Sequence, residues 1–366
     1  MKPRRVIISG GGTGGHLFPA LVLGRKIRDR NPQIELAYVG SGRDVERRIM
    51  AEHGVPTITL KIEGLKGRGV RSLGALALLP LAFIKSLSVL VRLRPRLVVG
   101  VGGFSSGPIV LLAAWFRVPT VILEQNVRPG FTNRLLVRWV RVAVAAFEAT
   151  LPALRGKGVR LGNPVREEFY RVRPKKREGP FALLVFGGSQ GSRFLNERVP
   201  AALALLQGRR QDLAVVHQTG ERELRDVRRR FDDAGFAAAH VAPFLPDMAD
   251  RVAAADLVVC RAGATTIAEL IAARRAAILI PFAGAADDHQ TANARELGRA
   301  GGAEVIPEAE ATPERLAERI GHYLVHRDEL DAMERALQPL ATPDAADRIA
   351  DLCRELIERR SQGGPS

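Results

Sequence analysis

Short apolar runs alternate along the chain with longer stretches in which apolar residues recur every third or fourth position. The runs at 6–9, 34–39, 57–60, 97–100, 120–123 and 142–146 read as strands, with helices between them at 17–30, 45–53 and 108–116. The strands are almost continuously apolar rather than alternating. That signals burial on both faces, which is the habit of a parallel sheet covered by helices. The pattern restarts with runs at 181–186, 213–218, 239–241, 257–260 and 277–280. Between the two series lie Leu161-Gly162-Asn163-Pro164 and a charged, proline-containing stretch at 171–180, which reads as a linker. The expected fold is therefore α/β, with two Rossmann-like domains facing across a cleft. They span 1–166 and 167–343, and an amphipathic helix and frayed tail follow at 344–366.

Composition narrows the class. At 366 residues, 46% hydrophobic and 26% charged, the chain is globular rather than disordered or fibrous. Its two cysteines, Cys260 and Cys353, are far apart, which excludes a disulfide framework and a zinc module and fits a reducing compartment. Only Val6-Ile7-Ile8 precede the first polar glycines, too short an apolar core for a signal peptide, so export is not expected.

Charge is unevenly placed. Residues 1–166 carry 27 Lys/Arg against 8 Asp/Glu, the remainder 28 against 31, and no acid lies between Glu63 and Glu124. A preference for arginine (47 Arg, 8 Lys) explains Arg over Lys but not the missing acids. A basic half points to a polyanion or an anionic membrane. Aromatics are 5% and no binding motif is recognisable, which argues against nucleic acid. The apolar stretch 73–93 is interrupted by Pro80, Lys85 and Arg92, so it does not read as a membrane span. As a helix it aligns Leu73, Leu76, Leu79 and Phe83, with Lys66, Arg68 and Arg71 beside them. Such a patch suits peripheral contact with an anionic membrane surface; an ordinary helix packed on the sheet is the alternative.

Four glycine-containing turns follow strands. They begin at Gly10-Gly11-Gly12-Thr13-Gly14-Gly15-His16, Gly102-Gly103-Phe104-Ser105, Gly187-Gly188-Ser189-Gln190-Gly191 and Arg261-Ala262-Gly263-Ala264-Thr265-Thr266. Glycine lets the backbone approach a phosphate, and the following helix N-terminus supplies N–H groups and partial positive charge. Gly10, Gly12 and Gly15 also satisfy a dinucleotide fingerprint. That reading needs an acid where the second strand ends, and the chain there reads Tyr38-Val39-Gly40-Ser41. The fourth turn does carry a suitable acid. Glu269, one turn into its helix, can accept hydrogen bonds from the two hydroxyls of a ribose, though a helix-dipole acid would look the same.

Taken together, Gly11-Gly12-Thr13-Gly14-Gly15-His16-Leu17-Phe18-Pro19, Gly64-Leu65-Lys66-Gly67-Arg68-Gly69, Gly102-Gly103-Phe104-Ser105-Ser106-Gly107-Pro108, Glu124-Gln125-Asn126, Gly162-Asn163-Pro164-Val165-Arg166, Gly187-Gly188-Ser189-Gln190-Gly191 and Cys260-Arg261-Ala262-Gly263-Ala264-Thr265-Thr266-Ile267-Ala268-Glu269 resemble one family. It is the bacterial MurG family of UDP-N-acetylglucosamine:N-acetylmuramyl-(pentapeptide) pyrophosphoryl-undecaprenol N-acetylglucosaminyltransferases. The resemblance runs from about residue 6 to 350. It implies a GT-B fold and inverting transfer of N-acetylglucosamine from UDP to the C4 hydroxyl of the acceptor sugar of lipid I. The product would be lipid II, made for peptidoglycan at the cytoplasmic face of the plasma membrane by a peripheral enzyme, beside other cell-wall synthesis proteins.

By resemblance, Thr13, Gly14, Gly15, Asn126, Arg166, Ser189, Leu245, Ala264, Thr265, Thr266, Ile267, Ala268, Glu269 and Gln290 contact the donor. His16 is the first candidate for the base and Glu124 the reserve. The chain contains no Asp-x-Asp, so no metal and no cofactor is expected. The segment 282–290 is poorer in glutamine and aromatics than the family pattern, which leaves the partner of the donor sugar open. A UDP-sugar 2-epimerase shares the architecture and is the alternative enzyme.

Overall fold

A computed structural model describes residues 4–11, 14–60 and 71–361. The chain divides into two compact units, Met1–Val165 together with Asp344–Ser366, and Arg166–Pro343. The first unit holds seven strands: β1 (Arg4–Ser9), β2 (Ile34–Gly40), β3 (Thr57–Thr59), β4 (Leu97–Gly100), β5 (Thr120–Glu124), β6 (Val142–Ala145) and β7 (Gly158–Arg160). All pair in parallel, in the order β3-β2-β1-β4-β5-β6-β7. Its helices are α1 (Gly14–Arg30), α2 (Asp44–Glu52), α3 (Arg71–Leu93), α4 (Ser106–Trp115) and α5 (Phe131–Leu136).

The second unit repeats the plan with β8 (Phe181–Phe186), β9 (Leu213–Gln218), β10 (His240–Ala242), β11 (Leu257–Cys260), β12 (Ala277–Leu279) and β13 (Glu304–Val305). These too are all parallel, in the order β10-β9-β8-β11-β12-β13. Its helices are α6 (Glu167–Tyr170), α7 (Arg193–Ala204), α8 (Leu224–Asp233), α9 (Met248–Ala254), α10 (Ala264–Ala273), α11 (His289–Arg299), α12 (Pro313–Val325) and α13 (Arg327–Leu337). Strand order reverses beside β1 and beside β8. The glycine turns after β1, β4, β8 and β11 therefore sit at the two switch points, where such sheets bind ligands.

Each sheet is buried on both faces, as the continuous apolar strands require. Val6 and Ile8 pack with Leu17, Leu23 and Ile27 of α1, whereas Ile7 faces the layer holding Leu90, Ile109, Val110 and Leu136. The two-domain parallel α/β fold is as expected. Strands β7 and β13, too short and too polar to stand out, were not among the runs read as strands.

The C-terminal segment needs a correction. The helix read as a separate tail, α14 (Ala345–Ser361), belongs to the first unit. Ile349, Cys353 and Ile357 enter the core beside α1. Asp347 and Asp351 pair with Arg30 at 2.8 Å each, and Asp347 also with Lys26 at 3.3 Å. Arg166, read as the end of the first domain, opens the second unit. On these boundaries the first unit has 30 Lys/Arg against 13 Asp/Glu and the second 25 against 26, so the charge asymmetry follows the folded units.

Candidate functional site

In the second unit, β11 delivers the chain to α10 through Gly263, an extended residue (φ −66°, ψ 144°) that supplies no side-chain cap. The helix therefore presents a positive N-terminal end carrying Ala264, Thr265 and Thr266, with Ile267 buried beneath. Glu269 lies one turn further, its side chain 13% exposed, and Arg166 Nη2 donates to its Oε1 at 3.0 Å. Arg166 also pairs with Glu168 (3.2 Å) and stacks over Phe169. Burial pushes the Glu269 carboxyl up to about 7, against the pull of Arg166 in the opposite direction. Two residues assigned separately to the donor are thus one ion pair at one helix.

Ser189 is exposed at the tip of the turn after β8. Gln290 Oε1 accepts from the Phe282 N–H at 3.0 Å, so this half-buried side chain holds the 282–285 turn. Leu245 is buried, and its N–H is already given to Gln218 Oε1 at 2.8 Å. Leu245, placed against the donor by resemblance, therefore has its backbone N–H committed within the protein. Sequence reasoning passed over Arg261, which stands where β11 ends. This buried guanidinium bonds Ser192 Oγ (3.0 Å), the Ile280 carbonyl (3.1 Å) and Glu308 (2.5 Å). It ties the turn after β8 to the turn after β12. Its place between a strand and a glycine turn was the only signal, and Glu308 carried none.

In the first unit, Gly14 and Gly15 open α1, and Thr13 lies outside the described residues. His16 rests directly on the turn after β4. A Cβ added to Gly102 (φ +98°) would fall 2.7 Å from His16 Cε1, so only glycine admits the ring there. His16 is thus fixed where the turns after β1 and β4 meet.

Glu124, at the end of β5, is buried. Its Oε1 accepts from Asn126 N (3.0 Å) and Nδ2 (3.1 Å), and its Oε2 from Gly130 N (2.9 Å) and Asn133 Nδ2 (2.8 Å). Burial pushes its carboxyl up while these donors pull it down. A carboxylate so occupied shapes the 126–133 loop and presents Asn126; it is poorly placed to take a proton from a substrate.

The apolar side of α3 also needs correction. Lys66 and Arg68 lie outside the described residues, as do the side chains of Arg71, Leu73 and Leu76. Leu79 and Phe83 are half-buried, because α3 turns Ala82, Ser86, Val89 and Leu90 inward. The side facing out carries Leu81 (61% exposed), Ile84 (64%) and Val91 (61%). Exposed Trp115, at the end of α4, and Trp139, in the turn after α5, are in edge-to-face contact in the same unit. A helix this apolar all round gives periodicity little to choose between its faces. No helix among the described residues is long and apolar enough to cross a membrane, and none of their His, Cys, Asp and Glu side chains form a group of three that could hold a metal ion.

Two family descriptions match the chain. The glycosyltransferase family 28 N-terminal domain covers residues 6–145 and the family 28 C-terminal domain residues 182–349. This chain belongs to glycosyltransferase family 28. The family 28 chain is 46% identical over 357 residues to a UDP-N-acetylglucosamine–N-acetylmuramyl-(pentapeptide) pyrophosphoryl-undecaprenol N-acetylglucosamine transferase of Myxococcus xanthus, covering 96% of this chain and 93% of that one. It is 43% identical to the protein of the same description from Syntrophus aciditrophicus, covering 96% and 99%. Among solved structures it is similar to MurG of Acinetobacter baumannii, at a TM-score of 0.77 and 30% identity over 96% and 100% of the two chains. A solved UDP-N-acetylglucosamine 2-epimerase shares the fold alone, at 0.68 and 15%.

Proposed function

We propose that this chain is the inverting transferase that moves N-acetylglucosamine from UDP-N-acetylglucosamine to the C4 hydroxyl of the N-acetylmuramyl-pentapeptide on undecaprenyl diphosphate. The observation that carries the reading is the Arg166–Glu269 pair one turn into α10, whose N-terminus has no side-chain cap. It lies in a chain whose relatives, matched over nearly their full length, bear that activity in their names. Glu269 accepts from the ribose hydroxyls, while the helix N-terminus and Ser189 hold the diphosphate. Gln290 offers its amide N–H groups to the sugar, and Asn126 offers its carboxamide.

The chemistry is one displacement. His16 takes the proton from the acceptor C4 hydroxyl, and that oxygen attacks C1 of N-acetylglucosamine on the face opposite UDP. The bond from C1 to the diphosphate oxygen breaks, and its electron pair leaves with UDP. Negative charge grows on the β-phosphate, where α10 and Ser189 meet it.

The basic first unit suits the acceptor's diphosphate and an anionic membrane. Leu81, Ile84, Val91 and the two tryptophans supply apolar contact, so the enzyme works peripherally at the cytoplasmic face, near other cell-wall synthesis proteins. The deciding experiment incubates the protein with labelled UDP-N-acetylglucosamine and a lipid I analogue, with and without chelator. Transfer in both arms is expected. Conversion of the donor to its 2-epimer without transfer would overturn the reading.

A further inference from the structure

His217 is a buried imidazole that the transfer chemistry does not use. It lies near the end of β9, edge-on to Phe231. Burial pushes it down to about 3, so the ring is neutral and carries a single N–H. Nε2 meets Asn196 Oδ1 at 3.0 Å, and Nδ1 has no hydrogen-bond partner among the described residues.

The network around Asn196 assigns both groups. Asn196 Nδ2 donates to the Thr219 carbonyl (3.0 Å) and to Glu223 Oε2 (2.6 Å), so its Oδ1 must be the atom that accepts from His217 Nε2–H. The Thr219 carbonyl is in turn the surface on which the turn after β8 is seated. A Cβ on Gly191 (φ +76°) would overlap that carbonyl oxygen, and one on Gly220 would overlap the Gln190 carbonyl. The other end of the turn is held by Gln218 Nε2, which donates to the Gly188 carbonyl at 2.9 Å.

We propose that His217 is a positioning residue for the donor's diphosphate. Through Asn196 and Thr219 it sets the height of the 187–191 turn that carries Ser189, and it never touches substrate itself. This rests on the donor assignment made above. Replacing the imidazole by phenyl keeps the bulk but strands Asn196 Oδ1 in the core, freeing the amide to rotate and the Thr219 carbonyl to shift.

The test compares His217→Phe, His217→Gln and Glu223→Ala with the parent protein. UDP affinity is read by calorimetry and, in steady state, KM for donor and acceptor separately. His217→Phe should weaken UDP binding and raise the donor KM about tenfold, with the acceptor KM within about twofold of the parent. His217→Gln, which keeps an N–H near Nε2, should recover most of that loss. Glu223→Ala, which removes a partly exposed acceptor of Asn196 Nδ2 and so tests the network if His217→Phe does not fold, should raise the donor KM about threefold. Unchanged UDP affinity in folded His217→Phe or folded Glu223→Ala, or equal rises in both KM values, would overturn the proposal. A parent protein that binds UDP without transferring sugar would instead overturn the transferase reading and leave the calorimetric comparison intact.

Discussion

Removing the Glu269 carboxylate should weaken donor binding in a way that pH exposes. The side chain is 13% exposed and holds a 3.0 Å bond from Arg166. Charge-assisted hydrogen bonds from two ribose hydroxyls contribute about 1.5–3 kcal/mol each. Glu269→Ala forfeits them, but it frees Arg166 to turn toward the diphosphate and lets water in. The net loss is then about 1–3 kcal/mol, or roughly 5- to 150-fold in Kd. The carboxyl sits at about 7 in the fold against an ordinary 4.5. A raised value means that the folded state holds this proton more tightly than the unfolded chain. The stability this contributes is fully present below 4.5 and is lost as pH climbs through 7, at most about 3 kcal/mol. Ribose hydroxyls favour the ionised form, so UDP binding should release a proton near pH 6.5 and tighten as pH rises from 5 to about 7.5. Calorimetry in buffers of different ionisation enthalpy measures that release directly. Glu269→Gln should abolish it and flatten the profile. A Glu269→Ala protein that melts normally and binds UDP within twofold of the parent would refute the ribose role.

The other expectations are independent of this one. His16→Gln should lower kcat by about 10²- to 10⁴-fold with UDP affinity intact, since a base acts only on the acceptor; single-turnover rates and calorimetry separate the two. Glu124→Ala strands the donors of Asn126, Gly130 and Asn133 and should cost about 2–5 kcal/mol in chemical denaturation. A loss of activity with no loss of stability would return Glu124 to catalysis. Ile84→Ser with Trp115→Ser should reduce sedimentation with anionic vesicles while leaving circular dichroism and activity on a detergent-soluble acceptor unchanged. Binding as tight as the parent's would show that the membrane face lies elsewhere.

The sheets were legible because most strands are compact apolar runs set off by turns and helices; β4, β8, β9 and β11 begin and end where the pattern places them. The glycine turns were legible for the same reason, being punctuation between a strand and a helix. What escaped depended on distance in the chain. Nothing near Glu269 announces that Arg166, 103 residues away, neutralises it, nor that His217 orients Asn196. The partners of Glu124 were hidden because a carboxylate at a strand end looks alike in sequence whether its oxygens face substrate or are filled by Asn126, Gly130 and Asn133. The outward side of α3 escaped because leucine and isoleucine occupy nearly every angle around it.

The return of α14 to α1 has a practical consequence for dissecting the molecule. Arg166–Pro343 is a single uninterrupted segment with its own sheet, so it can be excised by two cuts. Its counterpart cannot be obtained by stopping synthesis at position 165. Such a fragment would leave an oily groove along α1 where Ile349, Cys353 and Ile357 belong, and Arg30 would lose both of its carboxylates. To be stable, it would need the last helix supplied as a peptide or spliced on by a short loop across the excised middle.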